Sequence, residues 1–241
     1  MESNFDETKV LRGLNNADTS SFIKNSELKN LIQFKLDKTD FEEADLINID
    51  SIILDGRKIN GDINIVDFND IDFFSNLKKI EIKNLDISKE QMKKIEKLED
   101  VSFKNCKVES LEDIRNIKRI SINNSKISDL DQIENFQNMI ELEIINIQLE
   151  NFSFLKKLMN LQILKIKNVK GFSLDKINFP LPIKYLSVEG IEKIEEKFFI
   201  ENCPNLKILS VDKEKSKEWA DELDNLVKKE IKILLNDIYE Y

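Results

Sequence analysis

The chain has 241 residues, is 41% hydrophobic and 34% charged, and carries a formal net charge of -9 with no histidine. Lacking histidine, it lacks the commonest general base, the commonest metal ligand and every Ser–His or Cys–His nucleophile pair. The acidic balance argues against a broad phosphate-binding face, and two cysteines alone are too few for a zinc site.

The amino terminus, MESNFDETKV, is acidic and polar, and no basic stretch is followed there by an apolar run, so no signal peptide is expected. No run approaches 18 apolar residues, so no membrane span is expected, and a cytoplasmic location follows as an expectation. Residues 1–30 read as an amino-terminal segment or cap. Within it, SSFIKNSELKNL fits a short helix that Ser20 or Ser21 would N-cap. Two weak repeat units come next. LIQFKLDKTDF places Leu31, Phe34, Leu36 and Phe41 where INIDSIILDGRKI places Ile49, Ile52, Leu54 and Ile59. The 28-residue step from Ile49 to Leu77 is about six too long and contains Gly56 and Gly61, which predicts a loop or bulge.

Seven segments then fit one eleven-residue template: LKKIEIKNLDI from Leu77, LEDVSFKNCKV from Leu98, IKRISINNSKI from Ile117, MIELEIINIQL from Met139, LQILKIKNVKG from Leu161, IKYLSVEGIEK from Ile183 and LKILSVDKEKS from Leu206. The steps between them are 21, 19, 22, 22, 22 and 23 residues. Apolar residues at template positions 1, 4 and 6 with this period are the signature of a leucine-rich repeat solenoid. The predicted fold class is an α/β repeat solenoid, a horseshoe or arc whose concave side is a parallel sheet. Strands should begin near residues 79, 100, 119, 141, 163, 185 and 208, with positions 4 and 6 facing in and positions 3, 5 and 7 facing out. The repeats span 31–212.

The second half of each unit returns along the convex side. Its apolar residues recur at a spacing of three, as in Leu130, Ile133 and Phe136 or Phe152, Leu155 and Leu158, which fits short helices or 3-10 turns. Pro180 and Pro182 should hold one convex segment extended. A solenoid must close its two open ends. From Ser216, the residues Trp219, Leu223, Leu226, Val227, Ile231, Leu234 and Ile238 recur at three- and four-residue spacing, so 213–241 reads as a carboxyl-terminal capping helix.

The stretches NNSKISDLDQIENFQNMIELEI and CKVESLEDIRNIKRISI resemble the 22-residue repeats of internalin-type bacterial leucine-rich repeat proteins, over roughly residues 77–212. The resemblance implies a curved scaffold whose concave face binds proteins, with no catalysis and no cofactor. Two departures stand out. The family usually places an inward asparagine at position 9, where this chain has Leu85, Cys106, Ser125, Ile147, Val169 and Ile191. One position earlier it has Asn84, Asn105, Asn124, Asn146 and Asn168, then Gly190, residue types that tolerate a left-handed turn at the end of a strand. The second departure is that the wall-attachment sequences of secreted internalins are not seen, so a role in cell invasion is not carried over.

The outward columns locate a candidate binding face. Position 3 runs Lys79, Asp100, Arg119, Glu141, Ile163, Tyr185, Ile208. Position 5 includes Glu143 and Lys165, and position 7 includes Ile145. Three consecutive large apolar residues on a solvent face, rimmed by Arg119, Glu141, Glu143 and Lys165, have the anatomy of an interaction hot spot. The other reading is that the carboxyl-terminal helix or a loop folds over them.

The functional expectation is a non-catalytic scaffold for a protein partner, including an inhibitor or immunity-type protein as one version. An enzyme and a nucleic-acid binder are the alternatives. Nearly all of the chain is used by repeats and caps, and Lys93, Lys94 and Lys97 stand beside Glu96 and Glu99 as a solvated convex face. No metal, cofactor or membrane partner is expected. Cys106 and Cys203 lie several repeats, roughly 20 Å, apart, so they should not bridge, and a reducing compartment is favoured.

Overall fold

In a computed structural model, the chain is described over residues 22–24, 26–57 and 68–236. Among the described residues nine short strands form one wholly parallel sheet. They are β1 (Ser51–Asp55), β2 (Lys79–Lys83), β4 (Asp100–Lys104), β6 (Arg119–Asn123), β8 (Glu141–Ile145), β9 (Ile163–Lys167), β10 (Tyr185–Glu189), β11 (Ile208–Asp212) and β12 (Lys232–Asn236). Each pairs with the next, so the sheet order is the chain order, as a solenoid requires. The seven predicted starts are the observed ones. Interleaved two-residue strands, β3 (Asp86–Ile87), β5 (Lys107–Val108) and β7 (Lys126–Ile127), make a second ladder just past the turn.

The alternation in sequence becomes the two faces of the sheet. Ile80 and Ile82, Val101 and Phe103, Ile120 and Ile122, Leu142 and Ile144, Leu164 and Ile166 are all buried, while Lys165 between the last pair is half-buried on the other side. Burial is the main driving force: each fully buried aliphatic side chain contributes about 1.5–3 kcal/mol relative to exposure. Registers are residue for residue, so each position becomes a straight column across the sheet.

The six middle strands, β2, β4, β6, β8, β9 and β10, end in the same way. Asn84, Asn105, Asn124, Asn146 and Asn168 all have positive φ, between 46° and 55°, and Gly190 has φ 72°. The asparagine N–H groups still extend the sheet ladder, as in Asn84 N to Lys104 O at 2.9 Å and Asn168 N to Glu189 O at 3.0 Å. The backbone then swings off the sheet. The turning role expected of the asparagine column is the role it has. Their amides also stack: Asn84 donates to Asp55 (2.8 Å), Asn105 to Asn84 (3.0 Å), Asn124 to Asn105 (2.8 Å) and Asn168 to Asn146 (3.3 Å). Glycine is required at 190 for a second reason, because a Cβ there would lie 2.6 Å from Asn168 Oδ1.

The convex returns are 3-10 segments, Leu130–Asn135, Ser153–Lys157 and Leu174–Lys176, and plain turns around Leu111 and Ile114. The stretch holding Pro180 and Pro182 is in neither a helix nor a strand and buries Leu181 and Ile183. Two returns are short helices, α2 (Lys89–Lys93) and α3 (Glu196–Asn202), the first started by a capping box in which Ser88 accepts from Gln91 N and Gln91 Oε1 accepts from Ser88 N.

Both ends correct the sequence reading. The segment LIQFKLDKTDF is not a repeat strand. Its first six residues lie in helix α1 (Ser26–Leu36), where Leu28 and Ile32 are buried and Phe34 is 85% exposed, and the rest follow the helix. Helical spacing of Leu28 and Ile32 overrides the strand-like fit of Leu31, Phe34 and Leu36 to the template. The proposed caps Ser20 and Ser21 fall outside the described residues, as do Ile59 and Gly61. At the other end the predicted helix is cut in two. Helix α4 (Ala220–Lys228) buries Leu223 and Leu226 beside Trp219, packs on α3 (Glu196–Asn202) and leaves Val227 exposed. Glu230 then adopts φ 65°, and residues 232–236 form β12, paired in parallel with β11. Lys232–Asn236 pairs residue for residue with Ile208–Asp212 and joins an otherwise open sheet edge, which a helix cannot do. Ile238 is outside the described residues.

Three substitutions test this account. Gly190→Ala should lower stability by about 1–2 kcal/mol, the cost of a left-handed residue with a Cβ, read as a lower urea midpoint. Leu226→Ala should cost about 2–5 kcal/mol while Val227→Ala changes stability by less than about 0.5 kcal/mol. Equal losses at the two positions would contradict the packing of α4.

Candidate functional site: the concave face

The concave side chains come from positions 3, 5 and 7, and the register sets who meets whom. Arg119 lies between Asp100 and Glu141 in the position 3 column. Its Nη1 donates to both oxygens of Asp100 at 2.9 Å, and its Nε is 3.9 Å from Glu141 Oε2. Lys165 Nζ donates to Glu141 Oε1 at 2.6 Å. Four strands are thereby tied by one chain of alternating charge, Asp100–Arg119–Glu141–Lys165. Burial pulls the Lys165 ammonium down, but the Glu141 hydrogen bond and charge outweigh it and the pKa is raised. Such partly exposed pairs contribute at most about 1 kcal/mol each to stability. Their larger effect is to hold long side chains in fixed positions before any partner arrives. Glu143 accepts from Ser121 Oγ at 2.6 Å. An open cleft of about 300 Å³ runs over this part of the face, lined by Lys79, Glu81, Asp100, Arg119, Glu141 and Glu143 among others.

The apolar column follows directly. Tyr185 is in register with Ile163 on one side and Ile208 on the other, and all three are half-buried. Ile145, also half-buried, ends β8. Helix α4, the element expected as a cover, packs instead on α3 and β12, where Asn225 Nδ2 donates to Glu196 Oε2 at 3.1 Å. The eight candidate residues therefore fall in one continuous area of β6, β8, β9, β10 and β11. Sequence reasoning did not single out the small buried residues beside the column. Ser187 and Ser210 are in register at position 5, with 7% and 0% exposure, and Asp212 at position 7 is 4% exposed. Serine twice in succession at an outward position was the available signal.

The two thiols are unpaired and buried. Cys106 Sγ lies 3.3 Å from the carbonyl oxygens of Ile82 and Lys104, and its N–H donates to Ser125 Oγ at 2.9 Å, so the inward position 9 row is part polar and part apolar. Burial pushes the Cys106 thiol up and the Cys203 thiol up to about 12. Lys94 on the convex side pairs with Asp72 at 2.7 Å. No group of three or more metal-ligating side chains is found among the described residues. No helix among them is long and apolar enough to cross a membrane.

The fold is that of a leucine-rich repeat solenoid, with parallel strands on one side and short helices and 3-10 turns on the other. It is similar to the crystal structure of an internalin (InlF) from Listeria monocytogenes, with a TM-score of 0.52 and 19% identity. That match takes in 81% of this chain but only 58% of the internalin's length. Internalin C2 from the same organism matches 80% of this chain and 96% of its own at 14% identity, with a TM-score of 0.39. No protein-family model matches the sequence, and no curated protein matches it.

The thiol environments give a chemical prediction. In the native state at pH 8, neither cysteine should react with iodoacetamide within an hour, because the attacking species is the thiolate. Both should react within minutes in 6 M guanidinium, counted by intact mass. Rapid native labelling of Cys203 would show that it is not buried as described.

Proposed function

We propose that the chain is a non-catalytic scaffold that binds a protein partner on its concave face. The partner packs over Ile145, Ile163, Tyr185 and Ile208 and meets a rim of Arg119, Glu141, Glu143 and Lys165. One observation carries this reading: three large apolar side chains stand in register on a sheet face whose neighbouring columns are charged, and the carboxyl-terminal helix packs elsewhere. An aromatic anchor among aliphatics, beside charges already held in place, suits a recognition surface in which little side-chain entropy is lost on binding. An inhibitor or immunity-type protein is one form of such a scaffold. Free buried thiols fit action in a reducing compartment.

Affinity capture from the producing cell with wild type and Tyr185→Asp identifies the partner, and titration calorimetry with that partner measures the anchor. Tyr185→Ala should weaken binding by about 2 kcal/mol or more, as buried aromatic anchors do. Its cost in folding stability should stay below about 1 kcal/mol, since a half-buried side chain adds little to the core. Unchanged binding with a large loss of stability would sink the proposal.

A further inference from the structure

The two ends of the solenoid are finished differently. At the amino-terminal end helix α1 packs on β1, where Lys35 Nζ donates to Ser51 O at 2.7 Å, and Ile52 and Leu54 are buried. At the other end β12 is the last strand of the sheet. Ile233 is in register with Leu209 and Leu235 with Val211, so both stand at core positions. Every earlier member of Leu235's column, from Leu54 to Val211, is at most 1% exposed, but Leu235 is 51% exposed. Val227, on helix α4 of the same coil, is exposed as well. The core thus runs out into solvent, and the main chain is open too. Lys232 N donates to Lys207 O and Asn236 O accepts from Lys213 N, so residues 232, 234 and 236 turn their peptide groups to β11. Ile233 and Leu235 turn theirs to the outer edge, where no further strand lies among the described residues. That edge lacks the usual guards against pairing. It has no bulge and no proline, and its one lysine stands at the end of the strand.

We propose that this edge is an interface between two copies of the chain, whose β12 strands pair antiparallel about a twofold axis at Leu234. The edge is its own complement. In that register Ile233 of each copy faces Leu235 of the other, and each such pair exchanges two N–H···O bonds. Directly opposed residues share a face, so the same side chains meet on the core side and the two open cores join. On the concave side Lys232 of each copy stands opposite Asn236 of the other, next to Asp212 in register. The Asn236 amide already donates to Glu189 at 3.0 Å, so each lysine is set beside an acidic stretch of the other copy, and the charges are complementary at both ends of the pair. Head-to-tail stacking onto β1 is blocked, because α1 lies there and Lys35 takes the Ser51 carbonyl. The assembly therefore closes as a dimer and does not grow into a fibre. Two short edges bury less than the roughly 1,000 Å² of a stable interface, so the dissociation constant should be about 10–100 µM. Both concave faces lie on the same side of one continuous sheet, with the two Tyr185 side chains five strand steps, about 25 Å, apart.

Sedimentation equilibrium of the full chain from about 5 to 500 µM should show a reversible monomer–dimer equilibrium. Leu235→Lys should raise the dissociation constant about tenfold or more, because it places a charge in the joined core, and should leave the melting temperature of the monomer unchanged. Cysteine substitution reads the register. Leu234→Cys sets the new sulfur opposite its own copy, with Cα atoms about 4.5 Å apart and within disulfide reach, so mild oxidation should give a cross-linked dimer. Lys232→Cys should not cross-link, since residue 232 lies about 13 Å along the strand from its own copy. Cys106 and Cys203 are buried and stay out of both reactions. A monomer across the whole range would overturn the proposal and assign the edge to the residues after Asn236 or to another protein. Equal cross-linking at 232 and 234, or a ladder of higher oligomers, would overturn it as well. If Leu235→Lys does not fold, the two cysteine variants decide alone.

Discussion

What the rest of the structure depends on is the left-handed residue at the end of each of the six middle concave strands. A parallel strand must leave its sheet in order for the chain to return, and the return must start at the same place in every coil or the stack loses register. Here the residue after the strand keeps its N–H in the ladder and rotates its φ to about 50°, which redirects the chain within a single residue. Asparagine accepts that backbone at modest cost because its short polar side chain can bond locally. In this protein the bond is to the coil before, so the same residue turns the chain and ties neighbouring coils. The tie replaces the inward position 9 asparagine of internalin-type repeats with an outer one, and leaves position 9 for Leu85, Val169 and Ile191 to pack.

Uniform turning has a functional consequence. Since the middle coils leave the sheet alike, residues about 22 apart in sequence become lateral neighbours. A binding surface is then written as three columns and can vary along its length without disturbing the core. The middle of the face is filled by charges that satisfy one another, Asp100 to Lys165, and the later coils by Ile163, Tyr185 and Ile208. Self-paired charges repel few partners and attract few. They supply a fixed rim, and discrimination falls to the apolar step and to whatever charge is left unmatched.

The repeating part of this architecture was fully legible because period and position are visible in the letters. Seven strand starts, the inward and outward faces and the asparagine turns follow from a template that each coil restates. The ends were not, because a cap is used once and has nothing to be compared with. Leu31, Phe34 and Leu36 fit the strand template as well as a helix, and only Leu28 and Ile32, which the template does not use, show the helical face. Similarly, Ile231, Leu234 and Ile238 extend the helical spacing of Leu223 and Leu226, and nothing in KILLN itself shows the strand it forms. The unpaired edge of β11 decides between the two, and that edge exists only in three dimensions. The candidate site divides the same way. Its large residues could be read off the columns, but the burial of Ser210 and Asp212 depends on neighbours that one coil's sequence does not name.

Asp55 and Asp212 show what a column position is worth when its surroundings change. Both occupy position 7, both are 4% exposed, and burial pushes both carboxyls up. At the amino-terminal end the Asn84 amide, at 2.8 Å, and the Arg57 side chain and N–H reverse the effect, and Asp55 is held below the usual carboxylate range. At the carboxyl-terminal end the turning residue is Gly190, which has no amide to offer. At Asp212 burial and the charges of Glu189 and Glu214 outweigh the Gly190 N–H and the charge of Lys167, and the pKa is raised. The glycine is there because Asn168 Oδ1 occupies the space a side chain would need. The asparagine ladder thus stops one coil short, and where it stops the buried carboxylate is held by a backbone N–H in place of a side-chain amide.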